Sequence, residues 1–210
     1  MVIGVDLNDV IRDYSGQFAS YFKKVIDPSY DIDNIDFYTH EFRWVFPFKS
    51  NKQYEDFTYV DCAYEIYGCA QPMHKALMAR FNSWIQNDLA NMDFEVPQVI
   101  IVSPFEFGLT IQSSLFFLSK NGFRAREYYF PKVSSTIWDK ADIVITANPI
   151  LLGNKPNDEK KVSVKIDYMY NKEAEANFHY PSLMELLNNN EGIKSILVDY
   201  HNKFEKEEEE

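Results

Sequence analysis

The chain has 210 residues, of which 46% are apolar and 25% charged. This composition provides enough apolar content for the core of one domain with a sizeable insertion, and too much for a disordered or fibrous protein. The formal net charge of −11 argues against a nucleic-acid partner, because the phosphate backbone is also negative. No apolar run reaches the roughly 18 residues of a membrane span, and the first residues lack the pattern of a secretory signal, so we expect no membrane partner.

The first half of the chain begins with a predicted buried strand. Met1 to Val5 are mostly apolar and lead into the acidic Asp6, as in a strand covered on both faces. Apolar positions then recur at helical spacing over residues 10 to 26, and again from about Pro72 to Leu89, which predicts two helices. Residues 27 to 67 are rich in aromatic residues but show no period, so we expect short helices and loops there.

The second half alternates between strand and helix patterns. Strands are predicted at 98–102, about 125–130, 142–146 and 162–166, with helices at 109–120 and about 134–140. Strands separated by helices require crossover connections, which join parallel strands. The sequence therefore predicts an α/β fold with a parallel sheet flanked by helices.

The C-terminal residues 188–210 form a predicted extension. Asn188 to Gly192 favour a turn or linker, and a helical apolar stripe follows at Ile193, Ile196, Leu197, Tyr200 and Phe204. This stripe must cover either the chain's own domain or a partner. The acidic run from Glu205 to Glu210 is typical of a solvated, frayed end.

The two cysteines indicate the redox setting. Cys62 and Cys69 are too few for a disulfide framework, and their spacing fits no common zinc site. We therefore expect two reduced thiols in a cytoplasmic protein.

Polar residues follow three of the predicted strands, at the edge where parallel sheets bind ligands. Three segments contain these strand ends, and two further segments complete the pattern. The five are Val5–Val10 (VDLNDV), Ile101–Ser103 (IVS), Lys132, Ala141–Pro149 (ADIVITANP) and Tyr170–Asn171. In order and spacing the segments resemble those of the haloacid dehalogenase (HAD) superfamily of phosphotransferases, in particular its 5′(3′)-deoxyribonucleotidase-like branch. The resemblance covers residues 1 to about 187.

The resemblance implies a HAD-like core at residues 1–15 and 92–187, with a helical cap at 16–91 that covers the substrate. It also implies roles for three residues. Asp6 matches the nucleophile that forms an aspartyl-phosphate, Ser103 matches the phosphate-binding hydroxyl, and Lys132 matches the cationic phosphate ligand. Lys140 is an alternative to Lys132, because the loop before the fourth strand varies in length. In this family a Mg²⁺ ion is held by the first aspartate, a backbone carbonyl and later acidic residues.

Two departures from the family pattern affect the chemistry. Asn8 stands where an aspartate should act as general acid and base, and an amide does not exchange protons near neutral pH. Thr146 and Ala147 stand where acidic residues should hold Mg²⁺. Asp9 is adjacent to Asn8, but neighbouring side chains on an extended segment point to opposite sides. Loss of the acid/base group alone costs roughly 10²–10⁴ in rate, so Asp6 is predicted to be a vestigial nucleophile and no cofactor is expected.

Three functions remain open. The first is a structural or protein-binding subunit of an oligomer or hetero-assembly, located in the cytoplasm or, for a viral structural protein, in the virion. The second is a Mg²⁺-dependent phosphatase acting on (deoxy)nucleotides, with Asp9 or Asp13 as proton donor. The third is phosphate or nucleotide binding without hydrolysis, through Ser103, Lys132 and a helix N-terminus. Non-functional roles also remain open: Asp6 and Ser103 could serve only as helix caps, Lys132 could be only a solvated lysine, and Asn148-Pro149 could form a simple turn.

Overall fold

The computed structural model describes residues 1–91, 95–158 and 160–208, with side chains described through residue 202. Its centre is a six-stranded parallel sheet in the order β3-β2-β1-β4-β5-β6. The strands are β1 (Val2–Asp6), β2 (Gln98–Val102), β3 (Glu127–Tyr129), β4 (Ile143–Thr146), β5 (Val162–Ile166) and β6 (Phe178–Tyr180). The predicted α/β class is confirmed, and β6 is a strand that the sequence patterns did not predict.

The register of the central strands determines where the site forms. Asp6 at the end of β1 pairs with Val102 at the end of β2, and Val5 pairs with Ile145 of β4. Because all three strands run in the same direction, Asp6, Ser103 and Thr146 reach one edge of the sheet. This is the carboxyl edge, as predicted.

Helices cover both faces of the sheet. The described helices are α1 (Tyr14–Val25), α2 (Phe42–Val45), α3 (Asn51–Asp56), α4 (Leu77–Ser83), α5 (Leu109–Lys120), α6 (Ile137–Lys140), α7 (Pro149–Gly153), α8 (Leu183–Asn188) and α9 (Asn190–Glu208). Helices α4 to α9 cover the sheet, whereas α1 to α3 pack in a second apolar cluster. Alternate strand residues point to opposite faces. Val5 and Ile145 pack with residues of α4, α5, α8 and α9, whereas Val102 and Val144 pack with residues of α6 and α7. The central strands β1, β2 and β4 are thus buried on both faces, which explains their nearly continuous apolar runs. The edge strands β3 and β6 are partly exposed.

The aromatic segment forms a second apolar cluster, the cap cluster, beyond the carboxyl edge. Its buried residues are Phe18, Ala19, Phe22, Phe37, Phe42, Phe46, Phe57, Cys62, Ile66 and Tyr67. Phe18 lies at the centre, with ring centroids 5.0 Å from Phe42, 5.0 Å from Phe46 and 5.4 Å from Phe57. Two π-helical turns, Phe57–Asp61 and Tyr64–Gly68, interrupt the regular period. Short elements joined by ring contacts explain why no single period runs through this segment.

The packing places the border of the cap differently from the predicted range 16–91. Leu77, Phe81, Trp84 and Leu89 pack with the strands and α5, not with the cap cluster, so the cap ends near residue 70. The predicted helix from Pro72 begins only at Leu77 and continues as a π-helical turn and a 3₁₀ turn to Asn91. Helical spacing shows that a helix has an apolar face but not which cluster that face meets. The predicted core start at residue 92 falls among residues 92–94, outside the described residues.

The C-terminal stripe covers the chain's own domain. Ile193, Ile196, Leu197 and Tyr200 of α9 are all buried in the main core cluster, which settles the choice that the sequence left open. The predicted linker 188–192 shrinks to Asn189, because α8 ends at Asn188 and α9 begins at Asn190. The side chain of Phe204 and the acidic run to Glu210 lie outside what the structure describes.

Smaller differences arise at helix starts. The helix predicted from residue 10 begins at Tyr14, because Asp13 caps it by accepting a hydrogen bond from the Gly16 N–H. The sequence allowed a simple turn at Asn148-Pro149. In the structure these residues begin α7, with the Asn148 side chain as N-cap. Both cysteines are free thiols. Within the described residues, no helix is long and apolar enough to cross a membrane.

Candidate active-site cavity

A cavity of about 680 Å³ lies between the carboxyl edge of the sheet and the cap. Its lining includes three of the predicted site residues, Asp6, Asn8 and Lys132. Aromatic side chains from the cap and the core supply much of the remaining wall: Tyr14, Phe42, Tyr54, Tyr59, Tyr67, Phe105, Phe107 and Tyr170. A volume of this size accommodates a small organic molecule.

Asp6, the predicted nucleophile, already uses both carboxylate oxygens within the protein. Oδ1 accepts a hydrogen bond from the Leu7 N–H at 2.8 Å, and Oδ2 accepts one from the Thr146 hydroxyl at 2.6 Å. The side chain is buried, and this burial raises the pKa of Asp6 from 3.8 to about 7. At neutral pH a large fraction of Asp6 is therefore protonated, and a protonated carboxyl is a poor nucleophile.

Asn8, in the acid/base position, is bound by a buried arginine. Its amide oxygen accepts hydrogen bonds from Nε of Arg12 at 3.0 Å and also from Nη2. Arg12 is fully buried and forms an ion pair with Glu106, with Nη2 2.7 Å from Oε1. It also donates to the Tyr67 carbonyl at 3.0 Å and the Ser114 hydroxyl at 2.6 Å. The acid/base position is thus part of a fixed network with no exchangeable proton to offer a leaving group.

Ser103 lies at the predicted strand end but faces this network. Its hydroxyl donates to Glu106 Oε1 at 2.7 Å, and its oxygen is 3.5 Å from the Asn8 amide nitrogen. Ser103 is fully buried and does not line the cavity, whereas Glu106 does. A phosphoryl group next to Ser103 would therefore meet a carboxylate, so the expected phosphate-binding role has little support from this geometry.

The end of β4 contributes no acidic side chain as a metal ligand. Thr146 uses its hydroxyl to donate to Asp6 and to accept from the Asn148 N–H at 2.9 Å. Ala147 offers only its carbonyl, which accepts from the Asn171 amide at 2.8 Å. Among the described residues, no group of three or more His, Cys, Asp or Glu side chains could hold a metal ion. These donors do not fit Mg²⁺, which binds through carboxylate oxygens and water.

The Asp9 side chain does not point away from the site, although the sequence led us to expect this. The residue adopts a left-handed backbone with φ of 55°, so the extended-segment argument does not apply, and its side chain lines the same cavity as Asp6. The carboxylate accepts hydrogen bonds from the Ser15 N–H at 2.8 Å, the Ser15 hydroxyl at 2.5 Å and the Tyr170 hydroxyl at 2.8 Å. Burial raises the pKa of Asp9 from 3.8 to about 6. Asp13, the other proposed proton donor, caps α1 and does not line the cavity.

The two candidate lysines lie in different places. Lys132 is exposed at the rim of the cavity. Lys140 is outside it, 3.6 Å from Glu127 and above the Tyr129 ring, so Lys132 is the better match to the family's cationic residue. Sequence reasoning missed Arg12 and Glu106. The only signal in the sequence was a charged residue next to the apolar pair Val10-Ile11.

Comparisons with known proteins show similarity of fold alone. No family model matches the sequence, and no curated protein matches it. One similar solved structure, described as a haloacid dehalogenase-like hydrolase from Burkholderia xenovorans LB400, has a TM-score of 0.52 and 7% sequence identity, covering 89% of this chain and 94% of that one. The sequence-based expectation of a HAD-like fold is thereby supported: the protein has an α/β architecture of that type, with a six-stranded parallel sheet flanked by helices.

Proposed function

We propose that this chain is a HAD-fold protein that does not hydrolyse phosphate esters and acts as a structural or protein-binding subunit of an assembly. One observation carries the proposal: the acid/base position is an amide held by the buried Arg12–Glu106 ion pair. General acid–base catalysis contributes roughly 10²–10⁴ in rate; the Asn8 amide cannot supply it, and Glu106, the carboxylate of this network, is paired with Arg12. The fold is a stable scaffold that does not by itself require catalysis.

An exposed apolar surface supports a protein partner. The ring of Tyr64, on the second π-helical turn, contacts the ring of Phe116 on α5 in a tilted arrangement, with centroids 5.3 Å apart, and both side chains are exposed. Leu109, also on α5, and Val60, on the first π-helical turn, are exposed as well. Aromatic residues are enriched at protein interfaces, and exposed apolar patches commonly mark them. We call these four residues the outer aromatic surface.

A phosphatase assay tests the loss of hydrolysis. The purified chain is incubated with Mg²⁺ and either p-nitrophenyl phosphate or deoxynucleoside monophosphates, and phosphate release is compared with that of Asp6→Asn. We expect the two proteins to give the same release, equal to a blank without protein. Mg²⁺-dependent release that Asp6→Asn abolishes would refute the proposal.

Light scattering after gel filtration, over a range of protein concentrations, tests the partner. We expect assemblies larger than a monomer, and we expect the double variant Tyr64→Ser/Phe116→Ser to shift the mass downward. Val133→Ser, which removes another exposed apolar side chain, is the matched control and should leave the mass unchanged. A chain that stays monomeric at high concentration, and that also binds no other protein in a pull-down experiment, would contradict the proposed role.

A Mg²⁺-dependent phosphatase is the second candidate function, because Asp6 and Lys132 line one cavity. It requires a proton donor other than Asn8, and Asp9 is the carboxyl group available in the lining beside Asp6. In that case Asp9→Asn would abolish phosphate release together with Asp6→Asn. The assay above therefore distinguishes the two candidates.

A further inference from the structure

Among the residues that the structure describes, two carboxyl groups in the cavity lining, Asp6 and Asp9, accept no hydrogen bond from a cation. Asp6 and Asp9 are each 1% exposed. Every hydrogen bond that they accept comes from a neutral donor, namely a backbone N–H or a hydroxyl group. Neighbouring charges are also negative, with Glu106 acting on Asp6 and Asp13 acting on Asp9. A buried carboxylate without a cation is costly, so a positive ligand would gain electrostatic energy there.

The cations near the cavity do not neutralise these two carboxyl groups. Arg12 does not line the cavity, and its charge is directed at Glu106. Arg43 is paired with Glu41 at 2.7 Å and lies over the Trp44 ring. Lys132 lies at the rim, and the acidic Glu55 also lines the cavity. An anionic ligand such as a phosphate would therefore meet uncompensated carboxylates in the interior.

The walls suit a positively charged organic body. Tyr14, Tyr67 and Tyr170 line the same cavity as the two carboxyl groups, and the Tyr170 hydroxyl bonds directly to Asp9. The Arg12 guanidinium lies over the Tyr67 ring, 4.9 Å from its centroid, so Tyr14 and Tyr170 are the aromatic side chains left for a ligand. Aromatic faces attract ammonium groups, and more strongly where water is excluded. The volume of about 680 Å³ lies within the range of small-molecule sites.

We propose that this cavity binds an organic cation, an ammonium group carried on a flat or apolar body, with its charge at Asp6 and Asp9 and its body against the tyrosines. The site is separate from the outer aromatic surface. A failure here would leave the proposed loss of hydrolysis and the proposed protein partner untouched, because those are tested by phosphate release and by mass.

Four matched probes test the proposal by calorimetry and thermal shift: tryptamine as the cation, tryptophol as its neutral analogue, indole-3-acetate as the anion, and adenosine monophosphate as a phosphate. We expect tryptamine to bind at least tenfold more tightly than the other three and to raise the melting temperature most. Equal binding of tryptamine and tryptophol, tighter binding of either anion, or no binding of any probe at millimolar concentration would overturn the proposal.

Variants then locate the charge recognition. Asp6→Asn and Asp9→Asn should each weaken tryptamine binding about tenfold and leave tryptophol binding unchanged. Asparagine tolerates the left-handed backbone at position 9, so the second variant should keep its fold, as circular dichroism can check. Glu185→Gln removes the same charge from α8, outside the cavity, and should have no effect. Equal losses in all three variants would show that only net charge matters and would refute the site.

Discussion

Two regions beside the cavity differ in different ways from the pattern that the resemblance implies, and we call them its two corners. At position 8 the missing carboxylate is replaced by a buried charged network of Asn8, Arg12 and Glu106. At the end of β4 the missing acidic residues are replaced by neutral ones, Thr146 and Ala147. The first corner holds a pair of opposite charges with several partners, whereas the end of β4 at the second corner carries no charged side chain.

The difference explains the states of the remaining acids. Glu106 is neutralised by Arg12 at 2.7 Å, so the first corner is electrically balanced. At the second corner the partners of Asp6 are neutral, namely the Thr146 hydroxyl and backbone N–H groups, and burial raises its pKa to about 7. We infer that the first corner stabilises the fold because its charges are paired. The second carries a carboxyl group whose ionisation lowers the stability of the fold.

Breaking the charged corner should have the largest effect. Arg12→Met leaves Glu106 buried without its cation and removes the donors to Asn8 and Ser114. Removal of one partner from a buried pair costs about 3–5 kcal/mol. We expect a loss of that size in the free energy of unfolding, measured by urea denaturation.

Two further variants make this test specific. Arg43→Met breaks the exposed pair with Glu41 and should cost about 1 kcal/mol or less. The double variant Arg12→Met/Glu106→Leu removes both charges and should be more stable than Arg12→Met alone, because no unpaired charge remains. If the double variant were the less stable one, the destabilisation would come from lost packing rather than from charge.

The second corner should make the free energy of unfolding depend on pH. Because the pKa of Asp6 is raised from 3.8 to about 7, the folded state holds this proton more tightly than the unfolded state. The resulting stability is fully present below about pH 3.8, is lost as the pH rises towards 7, and changes no further above that. Asp6→Asn cannot ionise, so its stability relative to the natural chain should increase by about 2–4 kcal/mol between pH 4 and pH 8.

Asp9 provides the comparison for that measurement. Its pKa is raised only to about 6, so the gain of Asp9→Asn should be smaller and should be complete at a lower pH. Unfolding free energies from urea titrations at several pH values distinguish the two curves. A pH-independent difference between Asp6→Asn and the natural chain would show that Asp6 is not a buried, protonated acid.

Thr146→Val should have an intermediate effect. It removes the donor 2.6 Å from Asp6 Oδ2 while keeping the side-chain shape. An unsatisfied buried acceptor costs about 1–3 kcal/mol, and the pKa of Asp6 should rise further, because the Thr146 hydrogen bond lowers it. Carbon-detected NMR titration of the Asp6 carboxyl measures this rise. Thr146→Ser keeps the hydroxyl, so its free energy of unfolding and its Asp6 pKa should stay close to those of the natural chain. A change as large as that of Thr146→Val would refute the hydrogen-bond explanation.

The parts of this architecture that local pattern determines were predictable. Continuous β-branched runs identified β2 and β4, and helical spacing with the Asn121-Gly122 end signal identified α5. Parallel strands place their ends at one edge, so the gathering of Asp6, Ser103 and Thr146 followed from fold class alone. The helix from Pro72 was placed in the cap because its apolar face carries no information about which cluster it meets.

The charged network was not predictable, for a physical reason. Arg12 and Glu106 are separated by 94 residues, and neither has a spacing pattern with the other. Asp9 was expected to face away because alternation holds only for extended backbone, whereas its φ is 55°. Long-range pairing and a single left-handed residue thus decide what the site contains, and neither leaves a periodic signal.

Restoring the family's residue at position 8 should have the smallest effect, and this result bears most directly on function. Asn8→Asp would place a carboxylate against the Arg12 guanidinium, which now donates to the Asn8 oxygen at 3.0 Å. The pairing would hold the pKa of the new carboxyl low, so it could not deliver a proton at neutral pH. We expect stability to change by about 1 kcal/mol or less, with no gain in phosphate release with Mg²⁺. A gain of tenfold or more that Asp6→Asn abolishes would show instead that the amide alone silences the site, and that Arg12 and Glu106 are only structural.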